Sequence, residues 1–182
     1  AYGNNIYNLP AADYKVTYKS VCTGRERGVY SFCMCPGGYV VNASSEKNML
    51  AVNGMSYSGR DSSNANSAMI VTVTPEDYGY GTLDGVKFQR KLETAAYIAG
   101  EGKIPVQLLG DFKENTASTS LGAVSPCIKG EYKLTNVRSI LPDYIAEAIS
   151  EGVTGCDRYI KGFDMDEALF CLLYTSPSPR DA

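Results

Sequence analysis

The sequence contains no histidine among its 182 residues, and this absence excludes several kinds of active site. Ser-His-Asp and Cys-His sites need an imidazole as the general base, and many metal sites need it as a ligand. The residues present therefore offer neither of these catalytic sites and no histidine-ligated metal.

Long apolar runs and an excess of basic charge are also missing. No run approaches the roughly 20 residues that span a bilayer. The net charge is −3 and the basic residues are scattered, whereas a nucleic-acid-binding domain favours a basic face. The hydrophobic fraction of 44% and the length are those of one globular domain. We therefore expect a cytoplasmic protein with no membrane or nucleic-acid partner.

The six cysteines are unevenly spaced, which is not typical of a secreted disulfide framework. We expect free, buried thiols. A disulfide between Cys33 and Cys35 would close a small, strained ring and lacks the usual C-x-x-C spacing. Zinc on Cys22, Cys33 and Cys35 would lack a fourth ligand. The full set is Cys22, Cys33, Cys35, Cys127, Cys156 and Cys171.

Neither end of the sequence is typical of a native terminus. The chain begins AYGNN without methionine, and residues 172–182, LLYTSPSPRDA, resemble a translated sequencing adapter. Pro177 and Pro179 alternate with serine there and cannot extend a helix or a sheet core. We expect an internal fragment in which residues 1–171 form one domain and residues 172–182 are a non-native tail.

Short apolar runs separated by turn residues predict β-strands. Tyr14, Val16 and Tyr18 alternate with polar residues, the period of a half-buried strand. Further strands are predicted at 29–34, 39–42, 49–52 and 69–74. This spacing favours an antiparallel meander over βαβ units.

Two amphipathic helices follow the strands. Asp84 is the predicted N-cap of the first and Gly100 its C-terminal stop, while Pro142 suits the first turn of a second helix that runs to Cys156. Residues 104–130 between them are predicted to be irregular. The sequence thus predicts an α+β fold, with one antiparallel β-sheet and helices packed on it.

Residues 32–60 combine a Cys-x-Cys, a Pro-Gly-Gly turn and a polar loop that carries one arginine. Gly37 and Gly38 could bring backbone N–H groups close to a flat ligand, and Cys35 could present a thiol to a redox ring. The alternative is a tight turn between strands with thiols that pack as small hydrophobic groups.

The loop over residues 53–67 is long and polar, so it is either functional or merely a mobile connection. Arg60 could clamp a carboxylate or a phosphate, or it could only pair with Asp61 at the surface.

Residues 79–85, GYGTLDG, resemble a dinucleotide fingerprint only superficially. The third glycine comes one residue late, and Asp84 would repel a pyrophosphate at the helix start. We interpret this segment as a loop with a helix cap.

Six ordered blocks resemble the uncharacterised bacterial FAD-dependent dehydrogenases, which are NAD(P)/FAD-dependent oxidoreductases of the two-dinucleotide-binding-domain flavoproteins. The resemblance covers residues 1 to about 169. The blocks are YGNNIYNLPAADYKVTY, GVYSFCMCPGGYVVNASSE, LAVNGMSYSGRDSSNANSAMIVTVTPEDYG, GVKFQRKLETAAY, GKIPVQLLGDF and ILPDYIAEAI.

This resemblance implies that FAD is the cofactor of a longer parent protein, with NAD(P) as a further candidate. It also implies that the Rossmann-like FAD-binding halves lie outside this chain, which would be the inserted, substrate-side domain. Hydride transfer between a small-molecule substrate and the flavin is then expected. We take Cys35 and Arg60 as candidate catalytic residues and Gly37 and Gly38 as candidate cofactor contacts. Two alternatives stay open: a non-catalytic binding or scaffolding domain, and a thiol-redox protein that uses Cys33 and Cys35.

Overall fold

A computed structural model describes residues 16–22 and 24–172. Within these ranges the chain forms nine strands and four α-helices, and a short 3-10 helix covers Arg138–Ile140. The strands are β1 (Thr17–Ser20), β2 (Arg27–Cys35), β3 (Gly38–Asn42), β4 (Val52–Ser56), β5 (Asn66–Val71), β6 (Ile104–Leu108), β7 (Ile128–Lys129), β8 (Tyr132–Leu134) and β9 (Leu169–Cys171). The helices are α1 (Pro75–Tyr78), α2 (Asp84–Gly100), α3 (Leu109–Lys113) and α4 (Asp143–Cys156).

The strands form three small sheets, each of three strands. The first has the order β1-β2-β5 and is antiparallel throughout. The second, β4-β3-β7, and the third, β8-β6-β9, each contain one antiparallel and one parallel pair. The α+β prediction is confirmed, while the single antiparallel sheet that the sequence predicts is replaced by three sheets, two of them mixed.

Helix α4 packs on the first sheet through a face of small residues. An added β-carbon on Gly152 would lie 2.4 Å from Val29, and one on Gly155 would lie 2.2 Å from the ring of Tyr18. The Glu151 carboxylate of the same helix accepts hydrogen bonds from the hydroxyls of Tyr18 (3.0 Å) and Ser20 (2.6 Å). These contacts fix α4 directly against β1 and β2.

The predicted apolar stripe of α4 is confirmed, because Ile145, Ile149, Val153 and Cys156 are all buried. Helix α2 also spans its predicted residues and buries Leu92 and Ala96 among others. No helix in the described ranges has the length and apolar composition needed to cross a bilayer.

Several predicted boundaries are wrong. Strand β4 begins at Val52 rather than at residue 49, and β5 ends at Val71 because Pro75 starts the single turn of α1. Residues 104–130 are not uniformly irregular, since Ile104–Leu108 is the central strand of the third sheet. This strand is almost fully buried and therefore lacks the alternation that reveals a half-buried strand.

The ends of α2 also differ in detail from the prediction. Leu83 is the N-cap and Asp84 is the first helical residue. Gly100 is the last residue of the helix, and Glu101 adopts the left-handed conformation that ends it, with φ 53°. The predicted alternation at the first strand is confirmed only from Thr17 onward, because Tyr14 lies outside the described residues.

A buried ion pair joins the first sheet to α1. Two guanidinium nitrogens of Arg27 contact the two carboxylate oxygens of Asp77 at 2.8 and 2.6 Å. The Asp77 carboxylate also accepts a hydrogen bond from the backbone N–H of Thr74 (2.8 Å), at the start of α1. The Arg27 guanidinium further stacks over the Tyr144 ring, 4.3 Å from its centre. The pair therefore links β2, α1 and α4.

Candidate functional site

A cavity of about 630 Å³ is lined by residues from all three sheets and from α4. The lining includes Phe32 and Cys33 near the end of β2, and most of residues 165–172, including all of β9. Ile149 and Val153 of α4 also line the cavity. Its size is within the range of about 300–1,000 Å³ that is typical of small-molecule sites. We take it as the candidate site.

The polar side chains of the cavity lining come from residues 63–67 and from Asn53 of β4. We call this group the polar wall. Most of the remaining lining is apolar, and among the described residues the charged members of the lining are Lys161 and Glu167, both exposed. The polar wall consists of Asn53, Ser63, Asn64, Asn66 and Ser67.

The Pro-Gly-Gly turn packs against the polar loop of its own chain. Gly37 has φ 56°, and a β-carbon there would lie 2.2 Å from the carbonyl carbon and oxygen of Arg60. The N–H of Gly38 donates to the Asn64 carbonyl (2.7 Å), and the Ser62 hydroxyl donates to the Gly38 carbonyl (3.1 Å). The turn therefore holds the polar loop over β3.

The amide of Asn66 lies between two glycines. A β-carbon on Gly38 would lie 2.2 Å from Asn66 Nδ2, and one on Gly54 would lie 2.2 Å from Asn66 Oδ1. The same amide donates to the Tyr39 carbonyl (3.2 Å). Gly38 and Gly54 thus allow a side chain to approach the backbone closely, and that side chain is Asn66 of the same chain. Binding of a cofactor by Gly37 and Gly38 stays a prediction.

Cys127 lines the same cavity, and the sequence does not single it out. Its Sγ lies 3.4 Å from the Ser63 hydroxyl. A hydrogen bond from the Ser63 hydroxyl, together with smaller effects of the nearby N–H groups of Asn64 and Ser63, lowers the pKa of the thiol, against the opposing effect of desolvation. The 63–64 segment therefore stabilises a thiolate at the edge of the polar wall.

The two cysteines of the Cys-x-Cys motif are in different environments. Cys33 lines the cavity and has φ 48° at an irregularity in the β2–β5 register. Partial desolvation of the sulfur, and secondly the neighbouring Cys35, raise the pKa of its thiol. Cys35 lies outside the lining, and its Sγ donates to the Cys33 carbonyl (3.4 Å). A catalytic role for Cys35 stays a prediction.

All six cysteines are free thiols, so the Cys33–Cys35 disulfide does not form in this structure. The expectation of buried thiols holds for Cys156 but is wrong for Cys22 and Cys33, which are exposed. Burial raises the pKa of the Cys171 thiol, which also lines the cavity, to about 12. No cluster with metal-ligand geometry occurs within residues 16–22 and 24–172.

Arg60 is exposed and lies outside the cavity lining. Its backbone N–H donates to the Tyr57 carbonyl (3.0 Å), and its φ of 49° marks the point where the loop reverses. The surface pair with Asp61 is not among the ion pairs of the described residues. A catalytic role for Arg60 stays a prediction.

The glycine-rich segment before α2 is the loop and helix start that the sequence predicts. It follows the helix α1 rather than a strand, and the Asp84 carboxylate accepts a hydrogen bond from the Gly81 N–H (2.8 Å). Lys87 contacts the other oxygen of Asp84 at 2.9 Å. A carboxylate thus occupies the position where a dinucleotide site would hold a phosphate.

Comparison with known families decides the ancestry of this fold. A family model described as "FAD-dependent protein, C-terminal domain-like" matches residues 1–175. The chain belongs to this family. It is also 49% identical over 183 residues to an uncharacterised protein of Clostridium beijerinckii. That match covers 97% of this chain but only 34% of the relative, so the chain spans about a third of the length of the curated relative that it matches.

The family description implies FAD, and the residues described here fit only part of such a cofactor. The cavity offers apolar surface and amide groups suited to a ring. The glycine-rich turn before α2 does not suit a pyrophosphate, because its N–H already bonds Asp84. The described residues thus lack a pyrophosphate site at the place where the sequence most resembles one.

Proposed function

We propose that this chain is the substrate-side domain of an FAD-dependent oxidoreductase and that its cavity receives the substrate. The observation that carries the proposal is the cavity of about 630 Å³, formed between three sheets in a member of an FAD-dependent family. Apolar pockets with a few convergent polar groups are the usual form of a small-molecule site.

In this proposal the remaining two thirds of the parent chain bind the FAD pyrophosphate and present the flavin ring to the cavity. Bound flavin would supply hydride transfer, and NAD(P) is our candidate for the second redox partner. The present chain would position the substrate and exclude water, with the polar wall as the source of hydrogen bonds. Its free thiols fit a reducing compartment, so we assign the parent to the cytoplasm.

The first test is the visible spectrum of the full-length parent protein after purification and reconstitution with FAD. We expect flavin absorption bands that bleach when a substrate is added without oxygen. A colourless protein that takes up no FAD would rule out the proposal.

A second candidate is a binding or scaffolding domain that has kept the fold without redox chemistry. The observation that favours it is that Gly37 and Gly38 contact this chain's own loop, and that Cys35 and Arg60 lie outside the cavity lining. The reading frame upstream of residue 1 distinguishes the two candidates. An oxidoreductase should encode a strand, a G-x-G-x-x-G turn and a helix there.

A further inference from the structure

The charges around the cavity restrict the chemistry of what it can hold. Within the part of the chain that the structure describes, Lys161 and Glu167 are the charged residues of the lining, and both are exposed. Lys161 Nζ lies 3.5 Å from the Asp157 carboxylate, so the cation nearest the cavity already has an anionic neighbour. Because both side chains are exposed to solvent, either would give a ligand of opposite charge only a weak, screened attraction, which does not offset the loss of the ion's hydration inside the apolar part of the cavity.

Other basic residues near the cavity are directed elsewhere. Lys129 follows the lining residue Ile128, but its ammonium lies over the rings of Tyr39 (4.6 Å) and Tyr57 (5.0 Å). Arg60 is exposed and does not line the cavity. The arrangement disfavours carboxylate and phosphate substrates, which depend on Arg or Lys partners.

The polar wall can make only a few hydrogen bonds to a ligand. The Asn64 amide donates to the Ser125 carbonyl (2.7 Å), and the Asn66 amide donates to the Tyr39 carbonyl (3.2 Å). The Ser63 hydroxyl is beside the Cys127 thiol at the same edge. The hydrogen-bonding side chains of the described lining are thus concentrated in the polar wall, whereas the lining residues of β9 and α4 are apolar.

We infer that the substrate is an uncharged, largely apolar molecule with its hydrogen-bonding group at the polar wall. This inference rests on the proposed function, because it takes the cavity as the substrate site. It adds a class of substrate to that proposal, because the lining favours binding of neutral ligands over charged ligands of similar size.

Three naphthalene probes that share one ring system and differ in the charge of a small substituent test this inference on the full-length parent. These are 1-naphthol, 1-naphthoate and 1-naphthylmethylammonium, titrated at pH 7 by probe fluorescence with and without bound FAD. We expect 1-naphthol to bind at least about tenfold more tightly than either ion, because an unpaired charge resists desolvation. Equal or tighter binding of either ion would overturn the inference.

Two substitutions of Ala65 link the selectivity to this cavity. Ala65 is exposed and lines the cavity, so a larger side chain there can block it without disturbing a packed core. Ala65→Phe should weaken 1-naphthol binding at least about tenfold, and Ala65→Arg should shift the preference toward 1-naphthoate. Ala117→Phe is the matched control, because Ala117 is exposed but outside the lining.

The melting temperature and the flavin absorbance of each variant separate the possible failures. If both stay at the parent values while Ala65→Phe leaves 1-naphthol binding intact, the inferred site is wrong. If no preparation takes up FAD but 1-naphthol is still selected, the proposed oxidoreductase function fails, while the preference of the cavity for uncharged ligands stands.

Discussion

The backbone of Gly37 lies against the carbonyl group of Arg60, with no room for a β-carbon between them. A turn and a loop that are about 20 residues apart in sequence are therefore in direct backbone contact. The left-handed φ of 56° and this contact together explain why the position requires glycine, without a bound ligand.

Gly37→Ala should destabilise the fold more than the same change at a glycine of similar conformation. Gly122 is the matched control, because its φ is 58° and no atom lies within 4 Å of an added β-carbon. The control change should cost about 1–2 kcal/mol from the left-handed conformation alone. Urea unfolding of each variant should give a clearly larger loss for Gly37→Ala, and equal losses would contradict the packing seen here.

Gly54→Ala tests the space that the Asn66 amide occupies, since every close neighbour of its added β-carbon belongs to that side chain. We expect the single change to lower the free energy of unfolding, and Asn66→Ala to relieve much of that loss when the two are combined. A double-mutant cycle should give a coupling of about 0.5–3 kcal/mol. Strictly additive effects would show that the two residues do not compete for space.

The elements that sequence reasoning predicts well are those with local signals. The stripe of Ile145, Ile149 and Val153 follows the helical period, and all three side chains are buried as expected. Strand β6 has no such signal, because burial on both faces removes the alternation and Pro105 within it disfavours a strand.

The candidate site was also predictable only where a local sequence signal marks its residues. The segment around Gly37 and Arg60 stands out by composition, and its residues Cys33, Gly38, Asn53 and Gly54 line the cavity, whereas Gly37 and Arg60 do not. Cys127 does not stand out, because the Ser63 hydroxyl beside its thiol is 64 residues away in the sequence. Contacts between residues so far apart in the sequence form only when the tertiary structure assembles, and no local sequence pattern predicts them.

The Arg27–Asp77 pair should make stability depend on pH in the acid range. Hydrogen bonds from Arg27, and then the Thr74 N–H and the positive charges of Arg27 and Arg25, lower the pKa of Asp77 from 3.8 to about 2 despite burial. The charged carboxylate therefore stabilises the fold above pH about 4, and this contribution is lost as pH falls toward 2. The loss should be about 2 kcal/mol.

Urea unfolding between pH 5 and 2 measures this effect, and Asp77→Asn is the informative variant. The variant should be less stable at pH 5, and its stability should change less as the pH falls. A variant with the same acid dependence as the unchanged chain would place the titrating group elsewhere.

Cys127 should react with iodoacetamide at lower pH than the other thiols of the cavity. The thiolate is the reactive form, and the hydroxyl and N–H donors around Cys127 favour it, whereas desolvation disfavours it at Cys33 and Cys171. Mass spectrometry of each cysteine across pH 6–10 should give the order Cys127, Cys33, Cys171.

Ser63→Ala removes the largest of the effects that lower the pKa of Cys127. In this variant the alkylation curve of Cys127 should move to higher pH, while the alkylation curve of Cys33 stays in place. If the curve of Cys127 is unaffected, the Ser63 hydroxyl does not stabilise the thiolate.

Residues 1–171 expressed alone should not bind FAD with useful affinity. Tight binding of the dinucleotide needs backbone N–H groups at a helix N-terminus that are free to hold the pyrophosphate. In this chain the glycine-rich turn before α2 gives its Gly81 N–H to the Asp84 carboxylate, whose negative charge would also repel a phosphate. Quenching of flavin fluorescence measures the affinity, with the full-length parent as the positive control. Asp84→Asn should leave the isolated chain without FAD binding, because the side-chain oxygen still accepts from Gly81. Micromolar affinity for the unchanged fragment would show that the cavity alone holds the flavin, and the division of labour proposed above would then be wrong.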